Sequence, residues 1–135
     1  MEIPELHIEG GSEYIIFSVK KGQMYKYAYF QSYDRDYYPL ENGKFLLRIR
    51  ERHKYGDYYT YFELNTSGEP VNELNFSWIN DENYAFGEDD EYLFAGSPYT
   101  FEEWYDMTRE YLYTDTTGTE QIRNAVEWTV YCTYR

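Results

Sequence analysis

Carboxylates are the residues in this sequence best equipped to act on another molecule. They are densest at Asp81-Glu82 and Glu88-Asp89-Asp90-Glu91, with Tyr84, Phe86, Tyr92 and Phe94 interleaved and Gly87 and Gly96 marking a loop. Spaced carboxylates on a rigid, aromatic-backed surface can imitate a nucleic-acid backbone and occupy a basic cleft. Complementary charge then speeds association and selects the partner, while tyrosines supply contact energy. Glu102, Glu103, Asp106 and Glu110 extend the set along the outer side of a helix. The contact residues read from the sequence are therefore Asp81, Glu82, Tyr84, Glu88, Asp89, Asp90, Glu91, Tyr92, Glu102, Glu103, Asp106 and Glu110. The bland counterpart is a solvated loop beside a solvated helix face, which is what charge runs usually are.

Other constellations are weaker. Asp81-Glu82-Asn83-Tyr84-Ala85-Phe86-Gly87 begins like an EF-hand loop, and calcium takes roughly six to eight oxygens. Its glycine falls one position late, Ala85 offers no side-chain ligand, and Tyr92 stands where the closing glutamate belongs, so no metal or cofactor is expected. Arg48, Arg50 and Arg52, with Lys54 just beyond, share one strand face. An anion or nucleotide site needs such a stripe, and Tyr59 or Tyr61 opposite could stack on a base. The plainer reading is a solvated face whose arginines meet carboxylates from the acidic half, or an edge strand protected by charge.

Catalysis finds little support. His7 and His53 are the only histidines, and neither has a spacing to Cys132 that suggests a pair. No phosphate loop, nucleophile elbow or HExxH is present. Glu102 and Glu103 point about 100° apart on a helix and cannot flank one bond. Cys132, alone and in an alternating segment, reads as a small buried hydrophobe. The sequence reads as that of a protein that is not an enzyme.

Net charge narrows the partners. The total is −13, but residues 1–67 hold 10 Asp/Glu against 9 Lys/Arg, while residues 68–135 hold 15 against only Arg109, Arg123 and Arg135. Almost all of the excess sits in the second half, where it costs stability through self-repulsion. Such charge argues against direct contact with nucleic acid or an anionic membrane. No stretch approaches the roughly 20 apolar residues of a membrane span, and Met1-Glu2-Ile3-Pro4-Glu5-Leu6 lacks the charge and apolar run of a signal peptide. One cysteine permits no internal disulfide, so a reducing, cytoplasmic setting is expected. Aromatics make up 22% of the chain, with 19 Tyr, which excludes a disordered polyanion and suits contact surfaces.

The elements that must carry these residues are mostly strands. Glu13–Val19 and Met24–Phe30 flank Gly22 as a hairpin. Phe45–Arg52 alternates, with Phe45, Leu47 and Ile49 opposed to Leu46, Arg48, Arg50 and Arg52. His53–Asp57 reads as a loop, Tyr58–Leu64 as the return strand, and Leu74, Phe76 and Trp78 as a fifth strand. Together they suggest an antiparallel meander with one buried face. Thr100 and Glu103 have capping-box spacing, and Phe101, Trp104, Tyr105, Thr108 and Leu112 follow on one helical face. Thr117, with Glu120 three positions on and a stripe of Ile122, Ala125 and Val126, suggests a second, short helix. Trp128, Val130, Cys132 and Tyr134 then alternate as a final strand returning to the sheet.

The expectation is a single α+β domain over residues 1–135: an antiparallel sheet of five or six strands with one or two helices packed on one face. Its parts are a near-neutral β-rich stretch 1–80, an acidic loop and helical stretch 81–126, and a final strand 127–135. The expected function is that of a non-catalytic inhibitor whose acidic half plugs a basic site on a nuclease, CRISPR effector or toxin. In general type this is how anti-CRISPR and anti-restriction proteins of phages act, by nucleic-acid mimicry, although no motif links this sequence to a family. An immunity protein neutralising a bacterial toxin has the same physical character. A ligand-binding module whose aromatics stack on sugars or nucleotides is a third reading, and a tyrosine-rich sheet face also suits a homodimer.

Overall fold

The computed structural model describes the backbone of residues 12–20 and 23–32, and backbone and side chains of residues 35–51, 53–80 and 90–127. β1 (Ser12–Lys20) and β2 (Gln23–Ser32) pair as an antiparallel hairpin. That hairpin forms a two-stranded sheet of its own instead of opening the meander. The main sheet has six strands: β3 (Arg35–Pro39), β4 (Phe45–Arg50), β5 (Tyr55–Leu64), β6 (Pro70–Asn80), β7 (Glu91–Phe94) and β8 (Ser97–Pro98). Neighbours in the chain are neighbours in the sheet, and every pair is antiparallel. α1 (Phe101–Thr108) follows, and β9 (Leu112–Thr114) with β10 (Glu120–Ile122) makes a third, two-stranded sheet. The fold is α+β and mostly sheet.

Both faces of the main sheet are buried, which corrects the expected single buried face. Register places Leu46, Tyr59, Phe76, Trp78 and Tyr92 on one side, where Trp104 of α1 and Leu112 and Ile122 of β9–β10 cover them. Tyr37, Phe45, Leu47 and Phe62 form a second cluster on the other side. Alternation alone cannot distinguish a strand buried on both faces from one buried on a single face when Leu46 breaks the polar side.

Local chemistry explains three of the hairpins. Leu40–Lys44, Asn65–Glu69 and Asp115–Thr119 share one loop: the first N–H donates to the fifth carbonyl, and the fourth N–H donates to the first carbonyl. Each has glycine at the fourth position, Gly43, Gly68 and Gly118, with φ of 84°, 78° and 83°. This is a tight turn closed by a left-handed residue, which glycine adopts without steric cost. Asn65 Oδ1 accepts from the Ser67 and Glu69 amides at 2.9 and 3.0 Å, and Asp115 Oδ1 accepts from those of Thr117 and Thr119 at 2.9 and 3.0 Å. The helix expected from Thr117 is therefore absent. Thr117 and Glu120 have capping-box spacing, but Asp115 and Gly118 close a hairpin first.

Other departures have equally local causes. β5 starts at Tyr55, inside the expected loop, because Gly56 permits a backbone approach no other residue allows: a Cβ there would meet the Trp78 carbonyl at 2.0 Å. Glu91–Phe94 is a strand and not part of an acidic loop, turning at Ala95-Gly96, both with positive φ (51° and 84°). β3 had no counterpart in the sequence reading. The chain returns to β3 at Ala125, which bridges Leu40, and the Val126 amide donates to the Pro39 carbonyl at 2.8 Å. The expected strand residues Trp128, Val130, Cys132 and Tyr134 lie outside the described residues.

Two variants test this account. Gly56→Ala should cost roughly 2 kcal/mol or more, because Cβ meets backbone, whereas Gly118→Ala, with open space around it, should cost only about 1 kcal/mol of backbone strain. Denaturant unfolding gives both values. Asp115 carries a carboxyl lowered to about 2, chiefly by the Thr117 hydroxyl and the Thr119 amide that donate to it. Its contribution is complete above the ordinary 3.8 and is lost as pH falls through about 2. Asp115→Ala should lower the thermal midpoint, while Asp115→Asn should leave it nearly unchanged, since Asn65 builds the same loop.

Candidate interaction surface

The acidic surface is held in place by α1. Thr100 Oγ1 accepts from the Glu103 amide at 3.3 Å, and Glu103 Oε1 accepts from the Thr100 amide at 3.1 Å, a closed capping box. These donors, the Thr100 amide first, hold the Glu103 carboxyl below its usual range. Trp104 anchors the helix: it is fully buried, its Nε1 donates to the Leu93 carbonyl at 3.1 Å, and its ring lies 5.4 Å from that of Tyr92. With Trp104 and Thr108 buried, Glu102, Glu103 and Asp106 are left exposed, and Glu110 follows exposed in the next turn.

The two arginines of this segment do not neutralise that face. Arg109 caps the helix end, donating from Nε to the Tyr105 carbonyl at 3.0 Å with its guanidinium 3.8 Å from the Tyr105 ring centroid. Its two terminal nitrogens reach Glu120 at 2.5 and 3.2 Å, and they also donate to Thr108 and Thr114 hydroxyls. Glu120 is buried, so this bidentate pair is shielded from water. Arg123 donates to the Arg109 carbonyl at 2.7 Å and to that of Leu112 at 3.4 Å. Both cations are thus bound to the C-terminal end of α1 and the strand after it. None of Glu91, Glu102, Asp106 and Glu110 forms an ion pair with a described residue. Tyr99 and Tyr113 are the exposed rings of the same segment.

The remaining predicted contacts divide sharply. Asp81, Glu82, Tyr84, Glu88 and Asp89 lie outside the described residues, as does most of the EF-hand-like stretch. Asp90 is half-buried and serves the fold, accepting from Asn80 at 3.0 Å and from the Tyr92 hydroxyl at 3.2 Å. Glu91 is exposed at the start of β7. Tyr92 is a correction: at 2% exposure it belongs to the core, wedged against Phe101 and Trp104, and cannot touch a partner. Burial of Glu120 and capping by Arg109 have no signal in the sequence, where Glu120 suggests the capping partner of Thr117 and Arg109 only a charge.

The arginine stripe is also occupied. Arg48 and Arg50 share a face as expected, while Arg52 lies outside the described residues. Arg48 donates to the Tyr38 hydroxyl at 2.7 Å and pairs with Asp36 at 3.9 Å; Arg50 pairs with Asp57 at 3.9 Å. These carboxylates come from the near-neutral half, not the acidic half. Tyr59 stacks on Phe76 at 5.1 Å and Tyr61 packs on Tyr111 at 4.8 Å, so neither ring faces a base. His53 is exposed, with its amide donating to Glu51. No group of three metal-ligating side chains gathers among the described residues.

Compared with family models, curated proteins and solved structures, the chain matches none.

Arg109→Ala should destabilise by about 3 kcal/mol, because it strands a buried carboxylate. Arg109→Met combined with Glu120→Met should recover much of that loss. Chemical unfolding of the single and double variants measures the difference.

Proposed function

We propose that this protein is a non-catalytic acidic inhibitor that docks its α1 face against a basic, nucleic-acid-binding site of another protein. The observation that carries this reading is the unneutralised row Glu102, Glu103, Asp106 and Glu110 beside cations committed to the fold. Glu103 is tied to Thr100 and Glu110 to Tyr111, but none of the four is paired with a cation among the described residues. An unneutralised carboxylate keeps its charge for an incoming basic surface, which governs association rate and partner choice. Tyr99 and Tyr113, exposed at 36% and 42%, are placed in the same segment to add contact area. Nucleic-acid mimicry of the anti-CRISPR or anti-restriction type fits these features. A ring-stacking sugar or nucleotide module is less favoured, because Tyr59, Tyr61, Tyr92 and Tyr111 spend their rings on one another and on Phe76 and Trp104. No helix among the described residues is long and apolar enough to cross a membrane, and a cytoplasmic site of action is part of the proposal.

The test is capture of partners from host lysate at low and high salt, with Glu102→Lys/Asp106→Lys as the matched control. These two positions are exposed and free of structural hydrogen bonds with described residues, so the variant should stay folded, its thermal midpoint lowered only slightly by a lysine in the first turn of α1. A basic nuclease or nucleic-acid-binding protein retained at low salt, released by high salt and bound ~10-fold more weakly by the variant is the expected result. A partner that binds wild type and variant alike would sink the α1 reading.

A further inference from the structure

One carboxylate stands apart from the surface charge. Asp57 lies within β5 and is 6% exposed. Among the described residues its Oδ1 receives no hydrogen bond, and its Oδ2 receives only the Tyr59 hydroxyl, at 3.4 Å. Its ion pair with Arg50 is long, 3.9 Å, and the arginine side chain is 56% exposed. Arg48, the other cation of that face, points its guanidinium to the Tyr38 hydroxyl and Asp36. A buried ionised carboxylate is expensive unless it is closely paired and fully hydrogen-bonded, and Asp57 is neither. Nor can the strand slide to relieve it. Gly56, its neighbour, is pressed against the Trp78 carbonyl so closely that a Cβ would sit 2.0 Å away.

We propose that Asp57 is a proton-binding device built into the polar end of the sheet: the fold accepts it best as the neutral acid, and its ionisation loosens β4–β5–β6. The charged and titratable groups around it among the described elements are Asp36 of β3, Arg48 and Arg50 of β4, Tyr59 of β5, Asp90 and Tyr92 beside β6, and Glu120 of β10. Arg109 matches Glu120, so with it that set offers three cations against three further carboxylates, and no cationic surplus holds the ion. Burial is the leading influence and lifts the Asp57 carboxyl above its ordinary 3.8; Arg48, Arg50 and the Tyr59 hydroxyl oppose it, and Asp36 reinforces it. A raised folded-state value means that folding takes up a proton. The stabilisation is complete below the ordinary value and is lost as pH rises through the folded-state value. This is opposite in sign to the Asp115 turn, and it does not rest on the docking proposal.

The test compares thermal midpoints of wild type and Asp57→Asn from about pH 4 to about pH 8. The amide keeps the shape without the charge. It should exceed wild type by ~3 °C or more at neutral pH, with the gap closing on acidification. A pH-independent gap, or a wild type that gains on the variant as pH rises, overturns the proposal. Carboxyl ¹³C NMR of the wild-type protein supplies a reading that needs no variant. The Asp57 resonance should titrate above the aspartate norm of about 3.9, with the Tyr59 ring shifts following it. Titration at or below that norm overturns the proposal equally.

Discussion

The structure depends on one aromatic layer. Phe76, 2% exposed in the middle of β6, stacks on Tyr59 at 5.1 Å, Phe94 at 5.8 Å and Tyr111 at 5.3 Å. It therefore ties β5 and β7 to the turn that leads into β9. Rings in these arrangements contribute about 1 kcal/mol each beyond their burial. What lies above the layer is slight: an eight-residue helix and a hairpin with three residues in each strand. A helix so short has no stability of its own in water. It persists because the capping box starts it, Trp104 pins it to the layer, and Arg109 closes its end.

That division of labour accounts for the charge asymmetry. The covering elements come from the acidic half, and the described part of that half, residues 90–127, contains only Arg109 and Arg123 as cations. Both are consumed in satisfying carbonyls at the end of α1 and one buried glutamate, a demand set by the backbone: the last carbonyls of a helix have no partner within it. Arg109 is thereby matched by Glu120, and Arg123, though exposed, is held at two carbonyls and pairs with no carboxylate of α1 among the described residues. The bare acidic face is thus a consequence of how the cover is fastened, reinforced by the carboxylates placed there. Self-repulsion among them is a standing cost.

How much of this was legible follows from what each signal depends on. The capping box at Thr100 and Glu103 is local chemistry, and it predicted the start of α1 and the exposure of Glu102, Glu103 and Asp106. The helix ends at Thr108, however, before the Glu110 and Leu112 expected on it, and Leu112 opens β9. Thr117 and Glu120 present the same spacing and mislead, because a hairpin competes for the same residues. Asp115 with Gly118 repeats the separation of Asn65 and Gly68, and that pairing was the available signal. Tyr92 passed for surface because it is flanked by carboxylates, although Tyr92 and Phe94 alternate with Glu91 and Leu93 as a strand should. β3 is Arg-Asp-Tyr-Tyr-Pro, with no aliphatic residue to announce it. Burial of Asp57 and Glu120 depends on what packs over them from distant positions, and no local pattern encodes that.

Tyrosine is the residue that reconciles a packed interior with an acidic exterior. The hydroxyls of Tyr58, Tyr59 and Tyr92 donate to Glu51, Asp57 and Asp90, and those of Tyr38 and Tyr61 accept from Arg48 and Asn42. Apart from Tyr58, whose ring is exposed, each ring packs against the core while its hydroxyl satisfies a polar group at the margin, a task no aliphatic side chain performs. The bond to Glu51, above all, pushes the Tyr58 hydroxyl up to about 12, so the ring stays neutral beside the carboxylate at any physiological pH. Among the described tyrosines, most therefore belong to the core and its rim. Among the described residues of the acidic segment, the exposed rings are Tyr99 and Tyr113. Those two, with Glu102 and Asp106 of α1, are where the described part of the fold leaves binding energy unspent.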